Sequence, residues 1–135
     1  MKSAEKIKWA AKEALIRLKY MTVSSCIFCK IANGKQKVKH IIKSGSVIAF
    51  DDINPVAKVH ILIVPKKHIE SVLTLESKNA HDLIEMFKTA AKIAESKKLE
   101  AFRLTFNGGK FQHVPHLHMH LLAGSKIDWS KLKEL

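Results

Sequence analysis

Cysteine and long apolar runs are the features that this sequence has least of. Only Cys26 and Cys29 occur among its 135 residues, which are too few for the disulfide framework of a small secreted domain. No apolar run approaches the roughly 18 residues that a membrane-spanning helix needs, and no signal peptide precedes the cysteines. The sequence therefore predicts a cytoplasmic protein that makes no contact with a membrane.

Acidic residues are also scarce, with 12 of them against 24 lysines and arginines and a formal net charge of +12. Such an excess can mark a nucleic-acid partner. The basic residues are spread along the chain, however, and aromatic residues make up only 7% of it. This pattern favours a solvated basic surface with a site for anionic nucleotides over a nucleic-acid partner.

Internal repeats, low-complexity segments and linkers are absent from the sequence as well. With 47% hydrophobic residues, a chain of this length can bury one ordinary core. We expect one domain over residues 21–135. Residues 1–20 form a basic amphipathic extension, which we interpret either as a helix added to that domain or as sequence upstream of a true start at Met21.

The two cysteines are spaced Cys-x-x-Cys, which admits three interpretations. A disulfide is the weakest in a cytoplasmic protein. A thioredoxin-like redox pair would need a βαβ pattern, and none surrounds Ile27 and Phe28 between the cysteines. Two thiolates at this spacing supply half of a tetrahedral zinc site, and the eight histidines of the chain can complete it. Zinc is therefore the interpretation that we favour.

Four of those histidines lie between Gln112 and Leu122. From His116 onward imidazoles alternate with apolar residues, and alternation is the period of a β-strand. His116, His118 and His120 are therefore expected on one face of a strand, with the intervening apolar side chains turned into a core. Clustered imidazoles lose solvation and repel one another as cations, and sequences accept these costs mainly at a site.

Two chemistries suit a row of three imidazoles. One is phosphoryl or nucleotidyl transfer with a histidine nucleophile. The other is a three-histidine zinc site that activates water. A serine nucleophile on a Gly-x-Ser-x-Gly turn does not compete, because the sequence contains no such turn.

The remaining pattern predicts an α+β fold with a mainly antiparallel sheet of about five strands, one long helix and a short N-terminal zinc-binding segment. The predicted elements are a short helix at Cys26–Ile31 capped by Ser25 and ended by Gly34, strands at Lys39–Ile42, Val47–Asp51, His60–Val64 and Phe102–Phe106, and a helix at Ser77–Lys97. The apolar stripe of the long helix comprises Leu83, Ile84, Phe87, Ala90, Ala91 and Ala94.

The triad itself, His-x-His-x-His followed by two apolar residues, resembles the signature of the histidine triad family of nucleotide hydrolases and transferases. The run Pro65–His68 and the acid Asp52 are similar to segments of its Hint branch, the purine nucleoside phosphoramidases. Trp129 stands where Hint proteins carry a tryptophan near the C-terminus. The resemblance covers about Cys26 to Trp129 and implies a histidine triad fold.

The resemblance also implies an activity, a cofactor and an assembly. The activity is cleavage of the bond to the α-phosphate of purine nucleoside phosphoramidates, or of related AMP or GMP derivatives, through a nucleotidyl-histidine intermediate. The assembly is a homodimer paired through the long helix and the strand near Asn107. The cofactor is a structural zinc bound by Cys26, Cys29, His68 and His116.

Roles for individual residues follow from the same resemblance. His118 is implied as the nucleophile, His120 as a contact of the α-phosphate, His60 as a support of the triad, and Asn107 as a contact of the phosphate or the leaving group. The implied substrate contacts are Ile27, Phe28, Ile31, Phe50, Asp52, Ile53, Gln112 and Trp129.

The sequence departs from the family pattern at two positions. His113 stands where Ser or Thr is usual, and it can donate a proton to a leaving amine, so we include it among the catalytic candidates. Val59 stands where the family often has Gly or another small residue. Two alternatives stay open, namely a three-histidine zinc hydrolase and a non-catalytic nucleotide-binding module with a regulatory role.

Overall fold

The computed structural model describes residues 25–124, so the predictions for residues 1–20 and for Trp129 lie outside the described part of the chain. The elements are α1 (Ile27–Ala32), β1 (Ile42–Ser44), β2 (Val47–Asp51), β3 (Val59–Pro65), α2 (Ala80–Ser96), β4 (Phe102–Thr105) and β5 (Met119–Ala123). The five strands form one antiparallel sheet in the order β1-β2-β3-β5-β4. Neither helix within this range has the length and apolar character that a membrane span requires.

The first hairpin differs from its prediction at its outer strand. The predicted strand Lys39–Ile42 is wrong, because β1 begins only at Ile42. His40 has a φ of 55°, a left-handed conformation that interrupts a strand. The turn from β1 to β2 contains Gly45 with a φ of 56°, which glycine adopts without a steric penalty.

The short helix α1 lies where the sequence predicts it but is capped differently. Its N-cap residue is Cys26, not Ser25, and no side chain caps it. Gly34 follows the helix with a φ of 73°, as expected of a glycine that ends a helix. Phe28, Cys29 and Ile31 are buried from this helix, so α1 delivers both a cysteine and an aromatic ring to the same side of the sheet.

The long helix α2 is confirmed as a core-packing element, but the arc of it that is buried differs from the prediction. Ile84 and Phe87 are 53% and 50% exposed. The apolar residues of this helix occupy more than half of its circumference, so their spacing alone does not determine which side packs on the sheet. Met86 and Ile93 pack in the core in place of Ile84 and Phe87. The buried residues are Asp82, Met86, Thr89, Ala90, Ile93 and Ala94.

The two faces of the sheet bury different clusters. One face packs on α2 through a core that includes Leu117, Met119 and Leu121. The other face packs on α1 through a core that includes Phe28 and Phe50. The alternation of apolar residues and imidazoles therefore separates a hydrophobic side from a histidine side, as the sequence predicts.

The strand that carries the triad is shorter than predicted, since β5 begins at Met119 and contains only His120 of the three histidines. Two contacts explain the late start. The His116 N–H donates to Val114 O at 2.8 Å across Pro115, and the Leu117 N–H donates to Ile69 O at 2.6 Å. These bonds engage the backbone outside the sheet, so His116 and His118 lie on the segment that leads into the strand.

Candidate active site

His118 is held with one ring nitrogen committed to the backbone and the other directed away from it. Its Nδ1 lies 2.7 Å from the carbonyl oxygen of His116. A carbonyl oxygen only accepts, so Nδ1 carries the hydrogen and Nε2 keeps its lone pair. The ring packs edge-on against Phe28 and against His120, with centroid distances of 5.1 and 4.9 Å. This environment fixes a neutral imidazole with an available Nε2.

His120 is bound by a second histidine from the adjacent strand β3. The Val56 N–H donates to His60 Nδ1 at 3.1 Å, so the hydrogen of His60 is on Nε2. That Nε2 lies 2.9 Å from His120 Nδ1 and 3.4 Å from Asp52 Oδ2. His60 therefore donates to His120, which must carry its own hydrogen on Nε2. A relay from the backbone of Val56 thus sets the tautomer of His120.

The same contacts argue against a metal ion between Asp52, His60 and His120, although one ligand atom from each lies within 4.8 Å of the others. A neutral histidine that binds a metal through Nε2 carries its hydrogen on Nδ1. Here Nδ1 of His60 accepts the Val56 N–H, so the two hydrogens would collide. The chemistry of this donor set suits a hydrogen-bond relay.

Burial keeps these imidazoles neutral. It lowers the pKa of His118 below the ordinary value, while the hydrogen bond to the His116 carbonyl and the charge of Asp52 act in the opposite direction. Burial, with the neighbouring His118 and His60, lowers the pKa of His120 to about 3. The pKa of His60 is also lowered, mainly by burial. A neutral His118 is the form that can act as a nucleophile at neutral pH.

The histidine row opens into a cavity of about 410 Å³ beside α1. Most of its wall is apolar, and carboxylates and imidazoles are also among the lining residues, as in sites for a small molecule with an apolar ring and a polar group. The sequence-predicted residues in the wall are Ile27, Phe28, Ile31, Phe50, Asp52, Ile53, His113, His118 and His120. The residues that sequence reasoning missed are Gln36, Lys37, Val38, Asp51, Leu62 and Val114.

Among the described residues, three predicted catalytic or substrate-contact residues lie outside that wall, namely His60, Gln112 and Asn107. The Gln112 side chain donates to Glu70 O at 2.8 Å and to Val114 O at 3.0 Å. These bonds connect the loop that contains Gln112 and Val114 to the segment that contains Glu70. Asn107 follows β4, and its Nδ2 is buried with no hydrogen-bond partner among the described residues. His120 Nε2 is buried and unpartnered within the same range. Both atoms are donors, and an anion would satisfy them.

Leu62 is the missed wall residue for which a signal existed. It lies directly opposite His120 in the register of β3 and β5, and directly opposite residues share a face of the sheet. Strand alternation from His60 also places Leu62 on the histidine side. Gln36, Lys37 and Val38 lie in the irregular segment between α1 and β1, where no periodicity is available to assign a face.

A second group of side chains lies at the other end of the histidine row. Cys26 Sγ is 3.3 Å from His116 Nδ1, and Cys29 Sγ is 3.5 Å from the same atom and 3.3 Å from His68 Nδ1. The four ligand atoms lie within 4.8 Å of one another. Zinc bonds of about 2.3 Å to sulfur and about 2.0–2.1 Å to nitrogen, in a tetrahedron, place ligand atoms roughly 3.5 Å apart.

The donor chemistry of this cluster also suits a cation. His116 Nε2 donates to Pro65 O at 2.7 Å, which leaves the lone pair of Nδ1 facing the two sulfurs. Burial lowers the pKa of His116 to about 4, so the ring is neutral, as a ligand must be. Burial and the neighbouring Cys26 raise the pKa of Cys29 to about 12. A buried thiol that resists ionisation, as Cys29 does, becomes a thiolate when it binds a divalent cation.

Comparison with known proteins places this geometry in a family. A family model described as "Scavenger mRNA decapping enzyme C-term binding" matches residues 25–133. An uncharacterized HIT-like protein of Buchnera aphidicola is 39% identical over 106 residues, which are 76% of this chain and 95% of the relative. Adenosine 5'-monophosphoramidase HINT3 of Xenopus tropicalis is 36% identical over 107 residues, which are 73% of this chain and 67% of the relative.

Solved structures give the same result. A histidine triad protein from Clostridium difficile has 41% sequence identity and a TM-score of 0.74, covering 80% of this chain and 97% of its own. A HIT family hydrolase from Legionella pneumophila has 36% identity and a TM-score of 0.73, covering 77% of this chain and 96% of its own.

Proposed function

This chain belongs to the histidine triad family, and on that premise we propose that it hydrolyses purine nucleoside phosphoramidates or related AMP derivatives. The single observation that carries the proposal is the pair of imidazoles, His118 and His120, in the wall of the cavity. His118 presents an unprotonated Nε2, and His120 presents an unpartnered Nε2–H. A nucleophile and a hydrogen-bond donor for the phosphate thus line one cavity. Relatives with the name adenosine 5'-monophosphoramidase support the choice of substrate.

The reaction has two displacements at phosphorus. In the first, His118 Nε2 attacks the α-phosphorus, the phosphorus–nitrogen bond of the substrate breaks, and the amine leaves with a proton that His113 donates. In the second, water attacks the nucleotidyl-histidine and gives a proton to His113, which lost its own in the first step; the bond from phosphorus to His118 breaks, and the nucleoside monophosphate leaves. Division into two displacements replaces one difficult step with two easier ones.

Other side chains hold the substrate during both steps. The His120 Nε2–H and the Asn107 amide donate to phosphate oxygens, and His60 keeps His120 in the donating tautomer. The nucleobase lies among the apolar residues of α1 and β2, and Asp52 accepts from the ribose hydroxyls. Gln112 and Trp129 complete the proposed substrate contacts.

The three-histidine zinc hydrolase is less well supported by the ring orientations. Such a site needs one lone pair from each imidazole directed at a common point. His116 directs Nδ1 at the cysteines, whereas the Nδ1 of His118 donates to a carbonyl and the Nδ1 of His120 accepts from His60. We propose instead a structural zinc in the cysteine cluster, by which we mean Cys26, Cys29, His68 and His116. A closed set of four ligands leaves no position on the metal for substrate.

Turnover of adenosine 5'-phosphoramidate tests the proposed function against a non-catalytic binding module. We expect release of AMP and ammonia in a one-to-one ratio, measured by chromatography and an ammonia assay. Binding of AMP without any turnover of the phosphoramidate would favour the module. Loss of all turnover on brief chelation, with the fold intact by circular dichroism, would favour the zinc hydrolase.

We also propose that the protein is a cytoplasmic homodimer. Ile84 and Phe87 of α2 and Phe102 of the edge strand β4 are 53%, 50% and 44% exposed, and partial exposure of several large apolar side chains marks an interaction surface. Ala90 and Ala94 do not contribute to it, because both are buried against the sheet. A reducing compartment suits two free cysteines.

The homodimer predicts a mass of twice 15.2 kDa by light scattering at micromolar concentration. Phe87→Glu should shift that mass to the monomer, because the carboxylate would lose its solvation in an apolar interface. Lys88→Glu, on the next residue of the same helix, is the matched control and should leave the dimer intact. A monomeric wild-type protein at these concentrations would refute the dimer.

A further inference from the structure

Thr105, the last residue of β4, carries a hydroxyl group that the packing does not explain. Its Oγ1 is buried and has no hydrogen-bond partner within residues 25–124. Buried polar atoms without a partner are uncommon, because the lost hydration is not replaced. A hydroxyl group kept in such a place is most simply explained by a ligand that supplies the missing bond.

The register of the sheet places this hydroxyl beside the triad. Thr105 lies directly opposite His120 in the β4–β5 ladder, and opposite residues share a face with Cβ atoms about 4.5–5.5 Å apart. The neighbours of Thr105 confirm the face, since Leu104 and Phe106 pack against the α2 core on the other side. The hydroxyl is therefore on the histidine side of the sheet.

The residues at and near this position carry three buried polar atoms that have no hydrogen-bond partner among the described residues. They are Thr105 Oγ1, His120 Nε2 across the ladder, and Asn107 Nδ2 two residues further along the chain. Each can donate a hydrogen. Within the described residues, Ser46 Oγ is a further buried hydroxyl without a hydrogen-bond partner.

We propose that the Thr105 hydroxyl is a further phosphate-binding group, which donates to a non-bridging oxygen of the α-phosphate together with His120 and Asn107. This assignment rests on the proposed nucleotide site and adds one residue to it. A phosphate has several acceptor oxygens, and donors from two adjacent strands can contact different ones. A hydrogen bond to a charged group is stronger than a neutral one, so the hydroxyl contributes to the binding of the phosphate and not of the nucleoside.

Equilibrium binding of AMP and of adenosine by calorimetry separates this role from a structural one. Thr105→Val conserves the shape of the side chain but removes its hydroxyl. It should weaken the binding of AMP about tenfold or more, while adenosine binds with the affinity of the wild type. Thr105→Ser should retain the AMP affinity of the wild type. Ser46→Ala removes the other buried hydroxyl that has no partner within residues 25–124; it lies in the β1–β2 turn and not opposite His120 in the sheet, and its loss should change neither affinity.

The outcomes separate failure of this assignment from failure of the proposed function. If the wild type prefers AMP to adenosine and Thr105→Val keeps that preference, the Thr105 assignment is wrong and the nucleotide site stands. An equal loss of both affinities would assign Thr105 a structural role. If the wild type itself binds neither compound, the nucleotide site and the Thr105 assignment fail together.

Discussion

His118→Ala should fold, bind AMP and lose turnover by roughly a thousandfold or more. The reason is that, among residues 25–124, its Nε2 has the only imidazole lone pair of the triad without a hydrogen-bond partner. His116 Nδ1 faces the cysteines, and His120 Nδ1 accepts from His60. Initial rates with adenosine 5'-phosphoramidate measure the loss. His81→Ala, at an exposed histidine of α2, is the matched control and should have the activity of the wild type.

The covalent adduct gives an independent test of the same role. Rapid quenching of the wild type with labelled substrate should trap an acid-labile nucleotidyl group, which peptide mapping should place on His118. His60→Ala should still form the adduct, only more slowly, because His60 acts through the tautomer of His120. Label on another residue, or near wild-type turnover by His118→Ala, would contradict the assignment.

The features of the fold that could be predicted from sequence depend on local patterns. The central strand β3 and the strand β2 were predictable because their apolar runs are continuous and end at a turn or a proline. The placement of the histidines and of the intervening apolar residues on opposite sides of the sheet followed from alternation alone. It holds even for His116 and His118, which precede the strand. Local periodicity reports which residues share a face, whereas most of the cavity wall was identified through the resemblance to the histidine triad family.

The features that could not be predicted depend on contacts between distant segments. The arc of α2 that is buried is set by the sheet beneath Met86, and the start of β5 is set by a bond from Leu117 to Ile69. The tautomer of His120 depends on Val56, a residue with no chemical signature of its own. Thr105 is notable only for its register with His120, and register is a property of the assembled sheet.

Removal of the zinc ion that we propose for Cys26, Cys29, His68 and His116 should have the second large effect, on stability and, through the position of His118, on turnover. We expect elemental analysis to find one zinc per chain, and Cys26→Ser to lose it. A ligand that binds only the folded state at about a thousand times its dissociation constant adds about 4 kcal/mol to the free energy of unfolding. Chelation or Cys26→Ser should therefore lower that free energy by a similar amount, measured by urea denaturation.

The loss of zinc should also reduce turnover without abolishing it. A zinc ion held by Cys26, Cys29, His68 and His116 would fix the Nδ1 edge of the His116 ring, whose Nε2 donates to the Pro65 carbonyl, and the backbone carbonyl of His116 accepts from His118 Nδ1. A loosened His116 therefore misplaces the nucleophile but removes no reacting group. His118→Ala is the reciprocal control, since it should bind zinc normally and have no activity. Wild-type protein without zinc, or Cys26→Ser with a full complement of zinc and unchanged stability, would show that this cluster is not a metal centre.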